Sequence, residues 1–311
     1  MKSKFDKKRF IKRFIKSKQL YLMVLIPIIY TLIFFYGPMY GVQIAFRNYR
    51  PALGITGSEW VGLHWFKKFL SDYEFLEIFK NTLILSLYSL LTFPLPVIFA
   101  LILNALRNEK YKKVVQTVSY IPHFISLTVM VGILNMVFSP VNGIYGNLFR
   151  LFGGTGYPVD FRATEGAFRH LYIWSGVWQG LGWDAIIYIA ALSGVSKELH
   201  EAAEIDGASR LKRIWHIDIP TILPTVCIMF ILRCANIISV GFEKVYLMQS
   251  NLNLNVSEVI STYVYKTGMS SFHNFSYGAA VGLFNTIINL IMVIIANVVT
   301  KKASHDEISL F

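Results

Sequence analysis

Six runs of about 20 or more largely apolar residues, near 20–45, 80–106, 114–138, 168–194, 221–247 and 275–299, constrain this chain more than any other feature. A bilayer's hydrocarbon core is about 30 Å thick, which calls for on the order of 20 such residues per helical crossing. The pattern therefore predicts an all-α membrane protein with six transmembrane helices. Composition agrees, with 54% hydrophobic and 15% charged residues, where a soluble domain carries about a quarter charged. The fourth run, HLYIWSGVWQGLGWDAIIYIAAL, contains polar residues and an Asp, yet its length and aromatics favour a crossing. The first run, from Leu20 to about Ile44, exceeds the roughly 7–15 residues of a signal-peptide core, and no small-x-small cleavage site follows it. It is expected to remain as a membrane helix.

The net charge of +12 raises nucleic acid as a partner, so its distribution matters. Nine of the 30 Lys and Arg residues lie in MKSKFDKKRFIKRFIKSK at the start. Such clusters beside an apolar run suit the cytoplasmic flank of a membrane helix, and anionic lipid accounts for them without nucleic acid. Phe10, Ile11, Phe14 and Ile15 recur there at helical spacing, which fits an interfacial helix, with a disordered basic tail as the alternative. With the N-terminus in the cytoplasm, inner segments carry 19 Lys and Arg and the longer outer segments nine. The positive-inside rule then places both termini in the cytoplasm. The expected organisation is a basic segment at 1–18, a six-span domain at 19–300 with a cytoplasmic loop at 195–220, and a cytoplasmic tail at 301–311.

No catalytic signature stands out in the sequence. Seven histidines are scattered, with no HExxH pair, GxSxG elbow or GxxxxGK[ST] phosphate loop. No metal or cofactor is expected in this chain. Cys227 and Cys234, seven residues apart in apolar sequence, stand about two helical turns apart and are expected to pack rather than bridge. Glycines at 176, 180 and 182 suit close helix approach.

The long polar stretch EAAEIDGASRLKRIWHIDIPTILP, 201–224, lies between the fourth and fifth runs, on the predicted cytoplasmic side. Helix formers lead up to Asp206-Gly207, and Gly207 can end that helix in a left-handed conformation. Leu211, Ile214 and Trp215 then mark a second amphipathic helix. Pro220 and Pro224 suit a turn from the interface into the fifth span. Ala202, Ala203 and Ala208 keep the surface low enough for another protein to approach, and Glu201 and Asp206 offer charge to it. On physical grounds alone an ordinary interfacial loop explains the segment equally well.

The stretch resembles the EAA signature of permease subunits of ABC-type importers, with Glu201, Ala202, Ala203 and Gly207 in register, followed by Ile217 and Pro220. Ile219 stands where Leu is usual, and Asp206 and Ala208 match the extended EAAxxDGA form common among sugar importers. The segments GPMYGVQIAFRNYRP, GITGSEWVGLHWFKKF and SGVWQGLGWDAIIYIAAL also resemble the subgroup importing oligosaccharides or polysaccharide fragments. The resemblance implies a type I, maltose-transporter-like permease fold in the bacterial cell membrane. It implies a second permease subunit (a heterodimer), two cytoplasmic ATPases that hold the ATP and Mg, an extracellular or periplasmic solute-binding protein, and a carbohydrate substrate. Glu201, Ala202, Ala203, Asp206, Gly207, Ile217 and Pro220 would then couple the chain to the ATPases.

Candidates for the substrate path are Trp174, Trp178, Gln179, Trp183, Asp184 and Tyr188 in the fourth run, with Arg233, Asn236 and Glu243 in the fifth. Aromatic faces suit sugar C–H surfaces, and amides and carboxylates suit hydroxyls. Ionisable residues in a span face the bundle interior or a wet cavity, because lipid exposure is costly. Asp184 and Arg233 are expected either to pair with each other or to meet substrate. The tryptophans serve equally well as interfacial anchors, and Glu243 and Lys244 are placed near the outer mouth, open to solvent. Alternatives are a permease for a peptide or amino acid, and a stand-alone secondary transporter.

Overall fold

The computed structural model describes residues 16–238, 240–270 and 274–303. Phe10, Ile11, Phe14 and Ile15 of the expected interfacial helix, His273, and residues 304–311 of the tail fall outside that range. Helix α1 (Lys18–Thr31) continues through a π turn at Leu32–Tyr36 and a 3-10 turn at Tyr40–Phe46. Its side chains from Leu20 to Tyr36 are almost all exposed, as suits a helix clad in lipid or covered by another subunit. A short hairpin follows, with β1 (Arg47–Arg50) antiparallel to β2 (Ser58–Trp60) and Arg47 opposite Trp60. Then come α2 (His64–Leu70), α3 (Phe75–Leu91), α4 (Pro94–Asn104), α5 (Glu109–Tyr120), α6 (Leu127–Val137) and α7 (Ile144–Leu151). Last are α8 (Glu165–Leu192), α9 (Lys197–Ile205), α10 (Arg210–Arg213), α11 (Ile219–Ala235), α12 (Phe242–Met248), α13 (Ile260–Tyr265) and α14 (Phe275–Ala303).

Among the described residues, four helical stretches are long and apolar enough to cross a membrane: Lys18–Phe46, Phe75–Asn104, Arg210–Ala235 and Phe275–Lys302. The other two expected crossings differ in form. The third is broken, because Glu109–Phe124 and Leu127–Val137 meet at 100°. Pro122 sits in a 3-10 turn, Ile125 is extended (ψ 127°), and Ser126 starts a new helix by accepting from the Val129 N–H. The fourth, α8, is one unbroken 28-residue helix, about 42 Å long at 1.5 Å per residue, but less apolar than the four. The fifth is shifted. Its helix begins at Arg210 instead of turning at the prolines, and ends at Ala235, short of the expected 247. A π turn at Ile214–Asp218 precedes Pro220, and the widened turn absorbs a ring that a regular helix accommodates poorly. Asn236 caps the helix, and Gly241 opens α12.

The bundle is organised around α8, which packs on α4, α5 and α11, while α14 packs on α11, α13 and the Tyr40–Phe46 turn. At Gly182 a Cβ would stand 2.3 Å from the Ser119 carbonyl oxygen, so only glycine lets α8 lie this close to α5. One apolar cluster centres on Phe69, Ile78, Ile260 and Val281, and another on Ala100, Ala185, Tyr188 and Ile222. Cys227 and Cys234 are free and buried, as expected of packing residues. Buried polar side chains lock the 249–262 segment to the N-terminal parts of α3 and α8. Asn81 donates to the Asn255 and Glu258 carbonyls at 2.8 and 3.3 Å and accepts from Arg169, and Thr82 accepts from the Ile260 N–H at 3.0 Å. Tyr263 donates to Asp72 at 3.0 Å, and burial raises its phenol pKa above the ordinary value. Asp160 is held below the usual carboxylate range by its hydrogen bonds from Arg162, at 2.6 Å for the closest.

Candidate transport cavity and exposed loop

Two features of the fold carry chemistry, an exposed loop clamp and an open cavity into which several polar side chains are gathered. The clamp is built by local capping. Ser196 accepts from the Glu198 N–H to start α9. At the other end the Ala208 N–H donates to the Ala203 carbonyl at 2.8 Å and the Gly207 N–H to Glu204 at 3.1 Å. With Gly207 at φ +74° this is the Schellman arrangement, in which a left-handed residue closes the helix. Nothing lies within 4 Å of where a Gly207 Cβ would stand. Glycine is needed there for its backbone, not for space.

Ser209 then caps α10. Arg213 donates to Glu204 at 2.9 Å, Arg107 stands 3.7 Å from the same carboxylate, and His200 meets the buried Asp218 at 3.1 Å. These contacts fix α9 against α10. The expected helix–bend–helix is present, but its second helix is the first part of the continuous Arg210–Ala235 stretch. Glu201, Ala202, Asp206, Gly207 and Pro220 are exposed, while Ala203 and Ile217 are half-buried. The clamp also presents apolar residues, with Ile205 87% and Leu211 78% exposed. Glu204 and Arg213 escaped the sequence reading because only their pairing across the bend reveals their role.

The cavity, about 560 Å³, lies between α3, α8, α11 and α12. That is within the range of small-molecule sites. Gln179, Asp184, Tyr188, Arg233 and Asn236 of the expected substrate residues line it; Trp174, Trp178, Trp183 and Glu243 do not. The three tryptophans lie on exposed faces instead. Trp174 donates to the Tyr88 hydroxyl at 2.9 Å, and Trp183 stacks on His123 with ring centres 4.3 Å apart and planes 2° from parallel. Asp184 and Arg233 make no ion pair among the described residues; Arg233 donates to the Ser89 hydroxyl at 2.7 Å. Gln179 is held by the Ile125 carbonyl at 2.6 Å, at the bend between α5 and α6.

Lys244 is the main departure from expectation. It is not solvated at a mouth but only 7% exposed, and it lines the cavity. The helix ends after Ala235 and α12 packs beside α8, so that Lys244 Nζ donates to the Tyr172 carbonyl at 2.6 Å and sits 4.7 Å from that ring's centre. Gly176 makes the room, since a Cβ there would stand 3.0 Å from Nζ. Tyr172, Ser86 and Ser89 were also missed. They lie in apolar sequence with nothing to mark which face meets a cavity.

Apolar helices around an open cavity of mixed polar and apolar lining, with an exposed clamp on the helix that carries Arg233, suit a multi-pass membrane permease. Residues 92–305 match the family described as binding-protein-dependent transport system inner membrane component, and the chain belongs to that family. It is 42% identical over 306 residues to the polygalacturonan/rhamnogalacturonan transport system permease protein YteP of Bacillus subtilis (strain 168), covering 98% of this chain and 94% of the relative. It is 41% identical over 292 residues to protein LplB of the same organism, covering 94% and 91%. A crystal structure of a bacterial ABC transporter involved in the import of the acidic polysaccharide alginate contains a similar chain, with TM-score 0.85, 35% identity and coverage of 94% and 99%. A second, of the alginate transporter in complex with an alginate pentasaccharide-bound periplasmic protein, has TM-score 0.86, 34% identity and coverage of 97% and 100%.

Proposed function

We propose that this chain is one of two permease subunits of an ATP-driven importer of oligosaccharides in the bacterial cell membrane. The observation that carries the reading is the continuity of Arg210–Ala235. One helix, about 39 Å long at 1.5 Å per residue, joins the exposed clamp to Arg233 on the cavity wall. Family membership and the likeness to polysaccharide permeases support the choice of cargo.

On this reading the chain crosses the membrane six times with both termini in the cytoplasm. The bent α5–α6 pair forms the third crossing and α8 the fourth. Two separate ATPases hold ATP and Mg and dock on Glu201, Ala202, Ala203, Asp206 and Gly207. Ile217 and Pro220 transmit their motion into α11. The Arg213–Glu204 pair makes the clamp stiff, so closure of the ATPases moves α11 as a lever rather than bending the loop. Arg233, Asn236 and Asp184 then change their relation to α3 and α8, and the cavity passes from one side of the membrane to the other. A solute-binding protein outside supplies the sugar, and the exposed faces of α1 and α8 meet the second permease and lipid.

Purifying the tagged chain from gently solubilised membranes of its own cells is expected to recover a second permease polypeptide and an ATPase in stable stoichiometry. Recovery of the chain alone, or only as a homodimer, contradicts this assembly.

A further inference from the structure

We propose that Lys244 forms a carboxylate-binding subsite in the cavity, so that the cargo is an oligosaccharide carrying uronic acid groups; this rests on the importer reading above. Two cations, Arg233 and Lys244, line the cavity against one carboxylate, Asp184. Arg233 already donates to Ser89. Lys244 has no carboxylate within ion-pair distance among the described residues.

The ammonium carries three donors, and one of them is used, on the Tyr172 carbonyl. The Tyr172 ring face offsets part of the desolvation. An otherwise unpaired buried charge remains costly, and a ligand that supplies the missing anion recovers that cost on binding. Ser86 also stands in the cavity wall, although its hydroxyl oxygen is shielded from solvent and has no hydrogen-bond partner among the described residues. A carboxylate accepts a charge-assisted bond from an ammonium, whereas a neutral sugar hydroxyl forms a weaker one.

Asn236 and Tyr188 on the remaining wall offer an amide and an aromatic ring to the sugar's hydroxyls and C–H faces. Gly176 belongs to the same design. Its missing side chain is what lets Nζ stand beside α8.

A lysine kept only to pin α12 to α8 would affect every cargo alike, and the experiment exploits that difference. The complete transporter, with its partner permease, ATPases and binding protein, is reconstituted into liposomes. Uptake is measured with trigalacturonate and with its carboxyl-reduced neutral counterpart. Lys244→Met is expected to lower kcat/KM for the acidic sugar about tenfold and to leave the neutral sugar within about twofold. Lys244→Arg, which keeps the charge, is expected to keep acidic uptake within about threefold of the unsubstituted transporter. The binding protein is the same throughout, so a change in the acidic-to-neutral ratio reports the permease.

Equal losses for both sugars, or no loss for either, overturn the subsite and leave the importer reading standing. If the methionine variant does not assemble, Lys244→Gln takes its place. A fall of about tenfold in the acidic-to-neutral ratio relative to the unsubstituted and arginine transporters supports the subsite, and an unchanged ratio overturns it. Failure of the unsubstituted complex to take up either sugar overturns the importer reading and the subsite with it.

Discussion

Gly207→Val is expected to reduce ATP-driven uptake at least tenfold while the permease still folds and assembles. Gly207 holds φ at +74°, where an L-residue costs roughly 1–2 kcal/mol and a β-branched one is a true outlier. No atom lies within 4 Å of the new Cβ, so the substitution creates no clash and leaves the bundle's core untouched. The cost falls on the loop alone. It is relieved only if the chain leaves the left-handed region, which breaks the Ala208-to-Ala203 and Gly207-to-Glu204 hydrogen bonds and changes the angle between α9 and α10. The measurement is sugar uptake alongside ATP hydrolysis in the assembled complex. Hydrolysis that continues while uptake falls is the expected signature of lost coupling, and unchanged uptake would remove the clamp from the mechanism.

Ile205→Asp combined with Leu211→Asp is expected to abolish recovery of the ATPase with the permease. Both side chains are exposed and absent from the apolar clusters of the bundle, so the subunit itself should keep its thermal stability within a few degrees. Burying a side chain of this size at an interface is worth about 1.5–3 kcal/mol. Two such losses, with carboxylates put in their place, weaken docking by at least about a hundredfold at about 1.4 kcal/mol per tenfold. Co-purification and titration of ATPase onto the permease in nanodiscs give the number. Full retention of the ATPase would mean that it docks elsewhere.

The clamp was legible in the sequence because its logic is local. Capping residues, a helix-ending glycine and a charge-dense stretch between apolar runs are all readable at a distance of a few positions. Which residues face the cavity was much less legible. In a membrane protein, lipid is as apolar as the interior, so hydrophobic patterning does not separate buried from outward faces. Ile78 and Leu85 in the core and Leu22 and Ile26 on the surface of α1 are alike in composition and opposite in burial. Periodicity put Trp174 and Trp178 on one face of α8, but could not show that this face turns away from the cavity.

Two breaks in helical continuity were equally hidden. The bend at Ile125–Ser126 lies inside an apolar run. The end of the helix after Ala235 leaves Lys244 on a separate short helix at the cavity wall and not at an expected mouth. Both depend on tertiary packing against α8, and Gly176 records the second only once Lys244 is known to stand beside it. The continuous helix from the clamp to Arg233 was also missed, because Pro220 and Pro224 suggest a turn where a π turn keeps the helix running.

The central claim is that the chain transports sugar only as the membrane part of an ATP-driven machine. Proteoliposomes holding the purified complex, ATP inside and sugar-loaded binding protein outside, test it most directly. Uptake is expected to require ATP, the binding protein and the ATPase together, and to stop when any one is withheld. Uptake of the same sugar by this chain alone, driven by an ion gradient without ATP, would contradict the account.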